Sequence, residues 1–192
     1  MQSVFDYFQK YTDLSAEAKA YLTQHGKIHS GAKGSPYKLT QQQKNTWCFI
    51  LSGMVVKEHL NHNGKPCIDR FSIAGDYFVG TRHAFTKRAE SFTIVFAHET
   101  TYYEINNTAF QEAVNRFSCI SYVYHIFKQH KLDQANDLAY IRSLHYMYRI
   151  HALYKRMPLL AALLTVEQRR LLLEIANNRD YYAAQRYYIS KD

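Results

Sequence analysis

The sequence predicts an α+β fold: N-terminal helices, a small β-sandwich, jelly roll or barrel, a long helix and a small helical C-terminal region. Three observations predict it. Gly26 to Ile105 consists of short β-rich runs parted by turn residues, the texture of a sandwich or barrel. Thr108 to Leu164 has almost no Gly or Pro and carries Tyr, Leu, Ile and His at helical spacing, so it must hold long helices. The 192 residues are 47% hydrophobic and 21% charged, enough apolar content for one ordinary core or a medium domain with a smaller appendage.

Taken in order, Val4, Phe5, Phe8, Leu14, Ala18 and Leu22 recur at helical spacing, and Ser15 stands as the N-cap of a second short helix. The β-region then reads "YKLT", "WCFILSGMVVKEHL", "NHNGK", "CIDRFSI", "AGD", "SFTIVFAHET" and "TYYEI". Asn63-Gly64 supplies the positive φ of a two-residue turn, so "VVKEHLNHNGKPCIDRF" predicts a hairpin. Phe127 to Tyr154 predicts the long helix, with Leu132, Ala135, Leu138, Ile141 and Leu144 along one side. Pro158 in "KRMPLL" interrupts or starts a helix. In "TVEQRRLLLEIANN", Thr165 and Gln168 have the spacing of a capping box. There is no internal repeat.

Composition narrows the class. No apolar run reaches membrane-span length, and the start "MQSVFDYFQKY" lacks the basic head and apolar middle of a signal peptide. Cys48, Cys67 and Cys119 are far apart and show no CxxC spacing, so they read as reduced thiols of a cytoplasmic protein. The formal charge is +8, which favours an anionic partner such as nucleic acid. Arg142 to Asp192 holds nine Lys/Arg against four Asp/Glu, so +5 of that charge sits in the last quarter; a solvated basic surface gives the same count.

Three landmarks carry a resemblance to a known family. "FILSGMVVKEHLNHNGKPCIDRFSIAGDYF" resembles an F-x-L-x-G-x-V strand, a hairpin and an x-x-G-D-x-F turn. "GDYFVGTRHAF" stands where a phosphate-binding loop begins, and "SFTIVFAHETTYYEI" matches the strand pair that follows it. From about Phe8 to Pro158 the chain is similar to the Crp/Fnr family of transcriptional regulators, most of all to its short, divergent Bacteroidetes-type members. The resemblance implies a cyclic-nucleotide-binding-type jelly-roll sensor domain over 1–115, a long dimerisation helix region over 116–150 and a helical C-terminal region over 151–192 with a degenerate helix-turn-helix.

A buried cyclic phosphate needs backbone N–H groups and a cationic fork, and a ribose hydroxyl needs a fixed acceptor. In family members that bind cAMP the pattern is Gly-Glu, about ten residues, then Arg-Ser/Thr-Ala. Here Gly80 keeps the glycine and Ser91 the Ser/Thr position, while Thr81 replaces the glutamate, Glu90 the arginine and Phe92 the alanine. A carboxylate facing a buried phosphate repels it, which speaks against cAMP or cGMP as cofactor; a two-residue slip would instead bring Arg88 to the arginine position. Gly80, Thr81, Arg82, Arg88 and Ser91, with His83, are the candidate lining for another anion or polar effector. The competing expectation is a barrel filled by Phe78, Phe85 and Phe92 that takes no effector at all.

In the tail, "EIANNRDYYAAQRYYIS" can be laid on a helix-turn-helix frame. Ile175-Ala176 then fall in the first helix, Arg179 on a buried aliphatic position and Asp180 on the turn glycine. Ala183 to Ser190 form the recognition helix, with Gln185, Arg186 and Tyr187 toward DNA. The same residues fit a Tyr-rich packing helix. There is no P-loop, Rossmann glycine pattern, HExxH or GxSxG; the lone pairs His59/His62 and His25/His29 read as surface residues rather than ligands, and His98 with Glu99 lacks a third group to orient it. A cupin-like metal barrel would need a clustered His/Glu set, so no enzyme is expected and no metal is assigned. The expectation is therefore a homodimeric regulator with DNA as partner and an unknown effector or none. The alternative is a stand-alone sensor or interaction module of the same fold without DNA binding.

Overall fold

The computed structural model describes residues 1–61, 63–86, 88–89 and 91–190. The chain starts with α1 (Gln2–Phe8) and α2 (Ala16–His25). The Ser15 hydroxyl accepts from the Ala18 N–H (3.1 Å) and opens α2 as its N-cap. Eight strands follow: β1 (Gly26–Gly31), β2 (Pro36–Lys38), β3 (Thr46–Ser52), β4 (Met54–Leu60), β5 (Pro66–Ile73), β6 (Tyr77–Val79), β7 (Thr93–Phe96) and β8 (Thr100–Asn106). They form two four-stranded sheets, ordered β1-β8-β3-β6 and β2-β7-β4-β5. Helices α3 (Asn107–Arg116), α4 (Ser118–Ser143), α5 (Tyr146–Arg156), α6 (Pro158–Leu163), α7 (Val166–Leu172) and α8 (Asn178–Ile189) complete the chain.

The residues divide into two compact units. One comprises Met1–His59 and Phe71–His130, the other Leu60–Arg70 and Lys131–Asp192. In the first, successive strand residues point to opposite faces, and the first sheet serves two cores at once. Trp47 and Phe49 on β3, Val79 on β6, and Tyr103 and Ile105 on β8 join Val4, Phe8, Leu22, Phe110, Ile120 and Phe127 from the helices. The alternate residues Cys48, Ile50, Phe78 and Tyr102 join Tyr37, Val55, Ile94 and Phe96 between the sheets. Each fully buried large side chain contributes ~1.5–3 kcal/mol. Within the first unit, more of the buried aromatic side chains lie in the core shared with the helices than between the sheets. Gly53, in the tight turn from β3 to β4, has φ +90°, and a Cβ there would lie 2.3 Å from the Glu99 carbonyl oxygen. No larger residue fits that turn.

Two local expectations change. The β4–β5 hairpin closes through the Asn61 N–H to the Lys65 carbonyl (2.9 Å). Of Asn63-Gly64 only Gly64 (φ +69°) has a positive φ, so the loop is longer than two residues. The long helix runs from Ser118 to Ser143 rather than Phe127 to Tyr154, and α5 begins separately at Tyr146. Its row of apolar residues splits: Leu138 and Ile141 are buried, while Leu132 is 54% exposed and Ala135 is exposed. Spacings of three drift around a helix with 3.6 residues per turn, so that row never shares one face.

In the second unit α6 begins at Pro158, which sits in its first turn. The Thr165 hydroxyl accepts from the Gln168 N–H (3.2 Å), and the Gln168 side chain accepts from the Thr165 N–H (3.0 Å); the capping box of α7 is complete.

Candidate functional site

The candidate loop leaves β6 at Gly80, whose N–H donates to the Thr46 carbonyl (3.0 Å). A Cβ there would lie 2.2 Å from the Lys44 carbonyl oxygen, so close backbone approach accounts for this glycine. Thr81 is fully buried. Its hydroxyl donates to the His83 carbonyl (2.9 Å) and accepts from Asn107 Nδ2 (2.9 Å) at the start of α3. The loop folds back on itself through a Thr81–Ala89 bridge and the Arg82 N–H to Arg88 carbonyl bond (3.2 Å). Arg82, His83, Arg88 and Ser91 are exposed. The fold therefore brings Arg82 and Arg88 to one loop tip and turns Gly80 and Thr81 inward. Glu90, like Lys87 and His62, lies outside the described residues.

The barrel interior differs from the expected Phe78, Phe85 and Phe92 filling. Phe78 is buried, but Phe85 is 46% exposed, and the half-buried Phe92 sits edge-on to His59. Phe85 fails as a filler because its loop turns outward. Instead Tyr37 packs edge-on against Phe78 (centroids 4.9 Å), Phe96 (6.0 Å) and Tyr102 (5.7 Å). Its hydroxyl donates to Glu104 Oε2 (2.5 Å) and lies 2.5 Å from Thr46 Oγ1 and 3.1 Å from Cys48 Sγ. Lys44 pairs with Glu104 (3.6 Å) and stands 3.5 Å above the Tyr37 ring. Burial pushes the Tyr37 phenol and the Cys48 thiol well up from their ordinary values; Cys48 and Glu104 add to the rise at Tyr37, while at Cys48 the Glu104 charge adds to it and Tyr37, Thr46 and Lys44 oppose it. Both are neutral at physiological pH.

Two cations also face inward. Lys38 is 1% exposed and Lys57 9%, and both register opposite Ile94, from β2 and β4 respectively. Lys38 Nζ donates to the carbonyls of Phe92 (2.9 Å) and Leu39 (3.2 Å). Carbonyl oxygens thus solvate part of a charge that burial would otherwise penalise.

In the second unit the helix-turn-helix frame shifts. Glu174, not Asp180, occupies the left-handed turn position (φ +53°), and Ile175-Ala176 lie between α7 and α8 rather than inside a helix. Asn177 caps α8: its Oδ1 accepts from the Asp180 N–H (2.9 Å) and its Nδ2 donates to the Asp180 carboxylate (2.9 Å). That reciprocal cap starts α8 at Asn178, five residues before the expected Ala183, so Arg179 is exposed instead of filling a buried position. Of the three residues expected to face DNA, Arg186 is exposed and Gln185 is half-buried. Half-buried Tyr187 packs against Tyr148 of α5 (5.3 Å). Arg179 and Tyr182 share the exposed side with Arg186, at helical spacing.

No protein-family model matches the chain, and no curated protein is similar to it in sequence. Solved structures do match. A protein of the Crp/Fnr transcriptional regulator family from Eubacterium rectale superposes with a TM-score of 0.71 at 12% identity, over 97% of this chain and 88% of that one. FixK2 from Bradyrhizobium japonicum gives 0.68 at 13% identity, over 86% and 83%. The c-di-GMP-responsive global regulator CLP of Xanthomonas campestris gives 0.67 at 13% identity, over 92% and 91%.

The chain has the Crp/Fnr fold. A cyclic-nucleotide-binding domain from Methylobacillus flagellatus matches as well (TM-score 0.62, 13% identity) over 75% of this chain and 84% of that one. These matches are to regulators and sensor domains rather than to enzymes. Among the described residues no group of three or more His, Cys, Asp and Glu is placed to hold a metal ion. No helix among them is long and apolar enough to cross a membrane. Sequence reasoning missed two features of this Crp/Fnr fold. The Tyr37–Glu104 contact joins residues 67 apart in the chain, and no local pattern announces it. The start of α8 was readable, because Asn177 followed by Asp180 at N3 is a capping signal.

Proposed function

We propose that this chain is a cytoplasmic, homodimeric transcriptional regulator of Crp/Fnr type that binds DNA through α8 and does not use cAMP or cGMP as its effector. The observation that carries the DNA reading is the α7–α8 pair: a capped helix, a turn with one left-handed residue, and a second helix with Arg179, Tyr182 and Arg186 exposed. A helix offering cationic and polar side chains in this way fits the major groove. The basic balance of the last quarter supplies the phosphate attraction that such docking needs.

Against a cyclic nucleotide stand two facts. The Thr81 hydroxyl is occupied within the protein and buried, so it is no acceptor for a ribose. The space between the sheets holds Tyr37, Phe78, Phe96 and Tyr102 in mutual contact. Arg82, Arg88 and Ser91 stay as candidate contacts for another anionic effector, with the two arginines at the loop tip its cationic part, whereas the Gly80 N–H is already taken by the Thr46 carbonyl.

Fluorescence anisotropy with DNA from upstream of the gene tests this reading. Affinity should fall steeply as salt rises, and Arg186→Ala or Arg179→Ala should weaken binding by about 1–3 kcal/mol or lower the salt slope by about one. Added cAMP or cGMP should leave the affinity unchanged. Salt-insensitive binding, no binding, or a response to either nucleotide would count against the proposal.

A further inference from the structure

Within the second unit, one guanidinium touches three elements. Arg142, at the end of α4, donates through Nη2 to the carbonyls of Ile68 (2.6 Å) and Asp69 (3.3 Å) on β5. Through Nε it donates to the Leu172 carbonyl (2.9 Å) at the end of α7, and the Glu174 carboxylate lies 3.3 Å from the same nitrogen. Its side chain is 19% exposed. These are charge-assisted bonds from a rigid planar fork, so the hairpin carbonyls and the helix end are held at a fixed mutual spacing.

The helix end concerned is the one that needs fixing. The last carbonyls of a helix have no partners within it, and the residue that turns the chain away, Glu174, takes a left-handed conformation that costs a side-chain-bearing residue ~1–2 kcal/mol. Two further arginines help. Arg149 donates to the Leu173 (2.7 Å) and Glu174 (3.2 Å) carbonyls, and Arg170 to the Ile175 carbonyl (3.2 Å). Arg149 also donates to the Leu144 carbonyl between α4 and α5 (2.8 Å), and the bonds of both arginines lie among the helices and the turn. Arg142 alone of the three also holds β5, the second strand of the hairpin.

We propose that Arg142 is a positioning residue that transmits changes in the β4–β5 hairpin tip to the α7–α8 turn, and so to the placement of α8. Its significance for gene control rests on the DNA-binding reading above; the mechanical link does not. β5 is one continuous strand, Pro66–Ile73, that leaves the hairpin turn, carries the Ile68 and Asp69 carbonyls in its first half and ends among the residues of the first unit. A shift of those two carbonyls by about an ångström would break bonds whose strength falls steeply with distance and angle. The guanidinium would then re-seat on Leu172 and Glu174 alone, and the turn would change with it.

Amide hydrogen exchange on the full chain tests the link. The probes are the Glu174 and Ile175 amides, bonded to the Leu171 (3.3 Å) and Arg170 (3.1 Å) carbonyls. Asn61→Ala loosens the hairpin remotely, by removing the side chain that accepts from the Asn63 (2.9 Å) and Lys65 (3.0 Å) amides. Arg142→Lys keeps the charge and removes the fork. Asn61→Ala should speed exchange at the two probe amides about fivefold or more. The double variant should exchange no faster than Arg142→Lys alone, because the link is already cut. Unchanged probe amides in Asn61→Ala, or two factors that simply multiply in the double variant, would overturn the proposal. The Asn61→Ala arm decides by itself if Arg142→Lys does not fold. DNA binding is read separately: a wild-type chain that ignores DNA ends the regulatory reading yet leaves the exchange result standing, and the converse holds.

Discussion

Thr81 illustrates how a position can keep its place in a loop and change its task. Its hydroxyl ties the loop to the start of α3 through Asn107, 26 residues away in the chain, and it is fully buried. Thr81→Val keeps the shape and leaves Asn107 Nδ2 short of an acceptor, so it should destabilise the protein by ~1–3 kcal/mol, read as a lower urea midpoint at unchanged slope. Thr81→Glu, which restores the acceptor of the nucleotide-binding pattern, should do worse, because it buries a carboxylate in that space. Sequence alone located this residue and its departure from the pattern. It could not show that the hydroxyl is spoken for, since the partner comes from another element. The same distance effect hid the Tyr37 hydroxyl, which gathers Thr46, Cys48 and Glu104 at one point.

At the scale of elements, what local chemistry dictates was legible and what tertiary packing dictates was not. Ser15, Thr165 and Pro158 start α2, α7 and α6 as their side chains demand. Of the first sheet, β3 and β8 were legible as β-rich runs, whereas β1, with Ile28 as its one aliphatic residue, gave no such signal. The assignment of Trp47 and Phe49 to one core and Cys48 and Ile50 to another follows only once the sheet has helices on its far face. On α4 the difference matters for assembly. Leu138 and Ile141 are buried, and the exposed residues Tyr122, His125, Gln129, Leu132, Asn136 and Ala139 instead follow alternating steps of three and four. That spacing suits a helix-to-helix seam with several polar positions. If α4 pairs two copies, Leu132→Asp should shift the protein from dimer to monomer in light scattering while its far-UV circular dichroism stays the same. A variant that remains dimeric would move the interface elsewhere.

For the whole molecule, the order of short helices, barrel, long helix and helical tail was written in the alternation of texture along the chain. The Crp/Fnr fold fits that order over 97% of the residues. The capping signal that starts α8 was legible in the tail but its turn was not, because Glu174 holds a position that glycine usually takes, and three arginines stabilise it, Arg142 and Arg149 from outside the motif and Arg170 from α7. The central claim is that two copies present two α8 helices to one duplex. Hydroxyl-radical footprinting of the full chain on its own upstream DNA tests it most directly. The account expects two protected half-sites related by a two-fold axis, about one helical turn (~34 Å) or a multiple of it apart, both lost together in Arg186→Ala. A single isolated patch, or uniform protection without half-sites, would contradict it.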